Sequence, residues 1–238
     1  MSVNPPAGTA QVDVWIGDVN RLPAAGTSAL LSDAERTRSG EFRSEPAREL
    51  FIASRALQRA LGSRYLGRPP EKIEVARQCQ LCDDPHHGRP FLVDADGLEY
   101  SVSHSGTLVV IAYSRDCRVG LDTEQVDRRL DVATMKDRVL APEEAREVTG
   151  SDAQRRAAFL RLWTRKEAVL KLTGHGLSVP LADVVVNADE AHVAPRPDGW
   201  PDDPIWLTDL TLTADYLASL ASTATRPAVT VKDAVELF

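Results

Sequence analysis

Lysine is scarce in this chain: of 28 basic residues only Lys72, Lys136, Lys166, Lys171 and Lys232 are not arginine. Basic charge of any kind is outnumbered, since 35 acidic residues leave a formal net charge of -7. That balance argues against bulk nucleic-acid binding, which needs a net basic face. Three cysteines, an odd number, do not build a disulfide framework in a chain of 238 residues. No apolar run approaches the roughly 20 residues that a membrane helix requires. The start MSVNPPAGTAQVDVW lacks the basic lead and apolar stretch of a secretion signal. A cytoplasmic protein with neither membrane nor nucleic acid as partner is therefore expected. The phosphate loop G-x-x-x-x-G-K-[ST] is missing as well, which counts against a phosphoryl or nucleotidyl transferase built on a Gly-rich loop.

What is present suits a globular chain: 43% hydrophobic and 26% charged residues, enough for one large domain or two small ones. Gln11–Ile16 alternates as a strand, and Ser32-Asp33-Ala34-Glu35 reads as a helix start. Glu45 to Leu66 is a long amphipathic helix with Leu50, Phe51, Leu57 and Leu61 at helical spacing, stopped by Gly67 and Pro69-Pro70. Extended structure begins over Gly88–Val93. Leu98–Val102 and Leu108–Tyr113 form a hairpin, and Arg118–Glu124 is a further strand. A helical region broken at Ala141-Pro142 precedes a strong helix over Asp152–Leu172. Val184–Val186, Ile205–Leu212 and Tyr216–Ser222 close the chain as strands. Helix, hairpin, strand, helix, hairpin suggests a faint internal repeat. The expected class is α+β, with two mainly antiparallel halves, 1–117 and 118–238, each holding a small sheet and a long helix.

Three constellations could carry chemistry. In Val119-Gly120-Leu121-Asp122-Thr123-Glu124, strand alternation sets Gly120, Asp122 and Glu124 on one face, with the two carboxylates about 7 Å apart along the strand. Hard cations such as Mg²⁺ favour such oxygens; a polar strand end is the plain alternative. In the second helix Phe159, Trp163, Glu167 and Lys171 stand four apart and form one slanting stripe, apolar at its start and charged at its end. That stripe either runs out of the core into a cleft or ends in a simple Glu167–Lys171 pair. Ser101-Val102-Ser103-His104-Ser105-Gly106 offers a histidine between small hydroxyl residues at a hairpin turn, suited to an anion or serving only as a polar turn. Arg89 in Gly88-Arg89-Pro90 and Arg48 on the first long helix offer guanidiniums for bidentate phosphate contact, or solvated surface charges.

The order S-H-S, G-L-D-x-E, W-x-x-K-E-A-x-x-K and G-x-G-L resembles the 4′-phosphopantetheinyl transferases of the surfactin-synthetase-activating (Sfp) type, well over residues 85–186 and loosely before them. The resemblance implies two similar halves in a pseudo-twofold arrangement, with coenzyme A in the cleft between them. It implies Mg²⁺ on Asp122, Glu124 and Glu167, and coenzyme A contacts from Arg48, Arg89, Ser103, His104, Lys166 and Lys171. Lys166 transfers less directly, because neighbouring helix positions point about 100° apart. Glu167, Lys171 and His104 become the catalytic set. The activity implied is transfer of the phosphopantetheine arm from coenzyme A to a serine of an acyl, peptidyl or aryl carrier protein. Met135, Val139 and Leu140 are the candidates for a carrier-docking patch, or are core. A monomer is expected, since both halves lie in one chain.

A separate signal is Cys79-Gln80-Leu81-Cys82 followed by His86-His87, which has the C-x-x-C spacing of a zinc half-site. Only three residues separate the second cysteine from the histidines, closer than structural sites usually place their pairs. A zinc-stabilised binding module is the competing function, and a different Mg²⁺-dependent phosphoryl or nucleotidyl transferase is another.

Overall fold

The computed structural model describes residues 8–79, 88–95 and 97–238, apart from the side chain of Leu177. Two sheets and two long helices dominate it. The first sheet has the order β11-β1-β5-β4 and uses Gln11–Asp18 (β1), Glu99–Ser105 (β4), Leu108–Ser114 (β5) and Ala228–Asp233 (β11). The second has the order β6-β10-β9-β8-β7. Its strands are Val119–Gln125 (β6), Val184–Val186 (β7), Glu190–Val193 (β8), Ile205–Leu210 (β9) and Tyr216–Ser222 (β10). Val75–Gln78 (β2) and Arg89–Leu92 (β3) form a small separate ribbon. The helices are Ala24–Ala29 (α1), Asp33–Ser39 (α2), Glu45–Leu66 (α3), Val132–Val139 (α4) and Asp152–Thr173 (α5).

Local signals explain the helix ends. Ser32 and Ser151 each form a capping box, with Glu35 and Gln154 reaching back from the third position, so α2 and α5 start where those serines stand. Gly67 and Gly174 close α3 and α5 in the left-handed conformation, at φ 63° and 79°.

Packing is layered. Val109, Ile111 and Tyr113 of β5 meet Leu57 and Leu61 of α3 with Trp15 and Tyr100. The alternate residues Leu108, Val110 and Ala112 meet Val12, Val14, Val119, Leu121, Leu210 and Leu220 between the two sheets. Strand β5 is thus buried on both faces, which its unbroken apolar run requires. Beyond the second sheet, Phe159, Leu162, Val169 and Leu172 of α5 pack with Val184, Ile205 and Leu207. The result is α3, sheet, sheet, α5: an α+β molecule of two similar halves. The chain does not stay in order, however. β11 returns to pair in parallel with β1, so the last strand completes the first sheet. Val139 and Leu140, candidates for a docking patch, are only 3% and 4% exposed and belong to the α5 core, with Met135 packed against it. The apolar side of α4 is spent on its own helix neighbour. No helix of the described residues is long and apolar enough to cross a membrane.

Candidate active site

The site grows from the meeting of β4 and β6, the facing edges of the two sheets. These strands are joined by side chains. Ser101, Ser103 and Ser105 alternate along one face of β4, and each hydroxyl accepts from a β6 amide: Leu121 at 2.9 Å, Thr123 at 3.2 Å and Gln125 at 3.1 Å. Two of the three also donate onward. Ser103 gives its proton to Asp122 Oδ1 at 2.8 Å, and Ser105 gives its own to Glu124 Oε2 at 2.7 Å. His104 therefore lies within the strand, one position off the serine face; the turn falls on Gly106-Thr107. Gly106 has φ +56°, and a Cβ there would meet the Tyr216 hydroxyl at 2.4 Å.

Helix α5 crosses the face of β6 that carries Gly120, Asp122 and Glu124. A Cβ on Gly120 would stand 2.0 Å from the Ala168 carbonyl oxygen. The space beside the two carboxylates is filled by helix backbone, and that close crossing is what brings the third acid in. The stripe on α5 behaves as its spacing suggests: Phe159 is in the core, while Trp163, Glu167 and Lys171 line a cleft of about 770 Å³. Asp122, Glu124, Ser103, His104 and Arg89 line the same cleft.

Lys171 Nζ donates to Asp122 Oδ1 at 2.7 Å and to Ser103 Oγ at 2.8 Å. The second oxygen of Asp122, Oδ2, is buried and has no hydrogen-bond partner. Arg128 pairs with Glu124 Oε1 and lies over the Trp163 ring. Glu167 is pushed up to about 6, first by burial, then by the Asp122 charge, with Lys171 opposing and Glu124 adding a little. Glu124 is raised too, mainly by burial, despite the Ser105 hydrogen bond. The His104 ring is open to the cleft but flanked by protein; lost hydration, then Lys171, lowers its pKa. Among the described residues, no three His, Cys, Asp or Glu side chains form a group compact enough to hold a metal ion.

Two expected contacts are not in the cleft. Lys166 is 0% exposed; its Nζ pairs with Glu144 Oε2 at 2.5 Å and donates to the Leu181 carbonyl at 3.0 Å. It points into the core because α5 turns Lys166 away from the face that carries Glu167. Arg48 is exposed and pairs with Glu45 one turn away, outside the cleft wall. Ser103 is in place, with its hydroxyl held by Asp122, Thr123 and Lys171. Arg89 pairs with Glu99 at the start of β4, donates to the Leu172 carbonyl near the end of α5 at 3.5 Å, and keeps a buried Nε without a partner.

Sequence reasoning missed several wall residues. Arg55 and Arg77 line the cleft, as do Phe42, Phe51, Gln58 and His175. Arg77 is lowered by burial and then by the Arg55 charge. The alternation Ser101, Ser103, Ser105 was the one visible signal for the β4–β6 seam. Cys82, His86 and His87 of the zinc spacing lie outside the described residues, so only Cys79 of that set is seen, and it lines the cleft.

Residues 118–218 match the 4′-phosphopantetheinyl transferase superfamily, and residues 23–116 match the 4′-phosphopantetheinyl transferase N-terminal family. The chain belongs to the 4′-phosphopantetheinyl transferase superfamily. It is 31% identical to the 4′-phosphopantetheinyl transferase HetI of Nostoc sp. over 63% of its own length and 62% of that protein. A 4′-phosphopantetheinyl transferase of Bacillus subtilis is 28% identical, over 77% of this chain and 76% of that one. The Synechocystis sp. protein slr0495, provisionally named for the same transferase activity, is 28% identical over 79% of this chain and 75% of its own.

Proposed function

We propose that this cleft moves the 4′-phosphopantetheine arm of coenzyme A onto a serine hydroxyl of an apo carrier protein, leaving 3′,5′-ADP. The observation that carries the reading is the grouping of Asp122, Glu124, Glu167 and Lys171 on one cleft wall, in a chain of this superfamily. The unpartnered Asp122 Oδ2 and the raised Glu167 mark a place short of positive charge, and an all-oxygen donor set suits Mg²⁺. Asp122, Glu124 and Glu167 do not by themselves close on an ion; together with the pyrophosphate oxygens of the donor they would hold Mg²⁺, which would neutralise that pyrophosphate.

The carrier serine oxygen bonds to the β-phosphorus while the bond to the 3′,5′-ADP oxygen breaks. Glu167, a carboxylate on the cleft wall, takes the serine proton. Lys171, already aimed at Asp122, puts a compact positive charge beside the transferring group. His104 and Arg89 line the path of the phosphates. Burial and then the Arg55 charge disfavour the charge on Arg77, which an anion beside the two guanidiniums would offset; both line the cleft, unlike Arg48, and suit the far phosphate end better. Both walls come from one chain, which favours a monomer, and a coenzyme A substrate favours the cytoplasm.

The test incubates the protein with coenzyme A, Mg²⁺ and an apo carrier domain and follows 3′,5′-ADP by chromatography. Release that depends on the carrier supports the reading. No release with acyl, peptidyl or aryl carriers overturns it.

A further inference from the structure

The serine seam has three rungs but only two of them touch acids. Ser101 accepts the Leu121 amide and faces Gly120 across the strand, so it holds backbone alone. Ser105 accepts the Gln125 amide and donates to Glu124 Oε2. Arg128 holds the other oxygen, Oε1. Glu124 is therefore fixed at both oxygens, by a hydroxyl from the first half and a guanidinium from its own half. Each carboxylate oxygen keeps a second lone pair for a cation. A hydroxyl in this position sets the direction in which that lone pair points, as outer partners do for ligands generally.

We propose that Ser105 is a positioning residue: its hydroxyl sets Glu124 for cation binding, and the same bond ties the register of β4 to that of β6. This rests on the proposed transferase reading. Ser101 supplies an internal control, because it makes the same seam bond without a carboxylate.

The experiment titrates Mn²⁺ into the full chain with coenzyme A present and reads free Mn²⁺ by electron paramagnetic resonance, alongside thermal unfolding without metal. The expected S105A result is Mn²⁺ affinity about tenfold weaker. S105T, which keeps the hydroxyl, restores most of the affinity. S101A binds Mn²⁺ as the wild type does, yet melts about 2–4 °C lower, the size of one lost hydrogen bond in a chain of this length. Equal Mn²⁺ affinity in S105A and wild type overturns the proposal, and so does a loss in S101A as large as in S105A. If S105A does not fold, the isosteric pair S105V and S105T decides the point, since both suit a strand and differ only in the hydroxyl. Equal affinity in that pair again overturns it. A wild-type protein that binds no Mn²⁺ in the presence of coenzyme A refutes the metal assignment beneath the proposal, a result distinct from a wild type that binds and an S105A that binds equally.

Discussion

Glu167 should make the free protein less stable, and Glu167→Gln should show it. Its carboxyl moves from an ordinary 4.5 to about 6 in the folded chain, through burial and the Asp122 charge. Between those two values the folded state holds more protons than the unfolded one, so stability rises as pH falls through that range. Above about 6 the penalty is complete. At 1.36 kcal/mol per pH interval it approaches about 2 kcal/mol, reduced toward about 1 by cleft water. Glutamine cannot ionise, so E167Q escapes the penalty. Without divalent cations at pH 8, E167Q should melt about 2–8 °C above the wild type. At pH 5 the gap should shrink, because the wild-type carboxyl is then largely protonated. Adding Mg²⁺ with coenzyme A should reverse the order: a ligand at a hundredfold excess over its Kd stabilises the wild type by about 2.7 kcal/mol and E167Q far less. Differential scanning calorimetry in chelator at both pH values is the assay. An E167Q protein less stable than wild type at pH 8, or a gap of equal size at both pH values, refutes the reasoning.

Other outcomes follow from the same geometry. Lys166→Met leaves Glu144 charged and buried without its partner, and should cost about 3–5 kcal/mol in chemical denaturation with no specific effect on coenzyme A affinity in whatever remains folded. Gly120→Ala drives a methyl into the Ala168 carbonyl and should cost about 3 kcal/mol, the upper range for overpacking, read as a shift in the urea midpoint. Arg77→Ala should raise the KM for coenzyme A about tenfold while kcat changes little, as expected for one lost hydrogen bond to a charged group. A loss confined to kcat would move Arg77 from the anion's far end to the reacting centre.

Much of this was legible in the chain because local chemistry carried it. Helix α3 occupies Glu45–Leu66 as its apolar spacing and Gly67 indicate, and α5 runs over Asp152–Thr173 where the sequence predicts a helix over Asp152–Leu172. The four-residue stripe on α5 and the alternation in β6 were enough to bring Glu167, Asp122 and Glu124 to one wall. What the sequence hid was long-range. Strand β11 pairs with β1 more than 200 residues earlier, and nothing near Ala228 announces that partner. Lys166 looked like a cleft residue because it adjoins Glu167; its fate depended on Glu144, 22 residues before it. The serines of β4 read as a polar turn since their hydrogen-bond partners, amides and carboxylates alike, lie on another strand. Arg48 and Arg55 sit about two turns apart on one helix, and only the packing of α3 against its sheet decides which faces the cleft.

The account stands most directly on the mass of the acceptor. An apo carrier domain incubated with this protein, coenzyme A and Mg²⁺ should gain one phosphopantetheine arm by intact mass spectrometry. The gain should fail with chelator and fall steeply with E167Q, although that variant is folded. A carrier whose mass stays unchanged across acyl, peptidyl and aryl types, or one modified equally well by E167Q, contradicts the account.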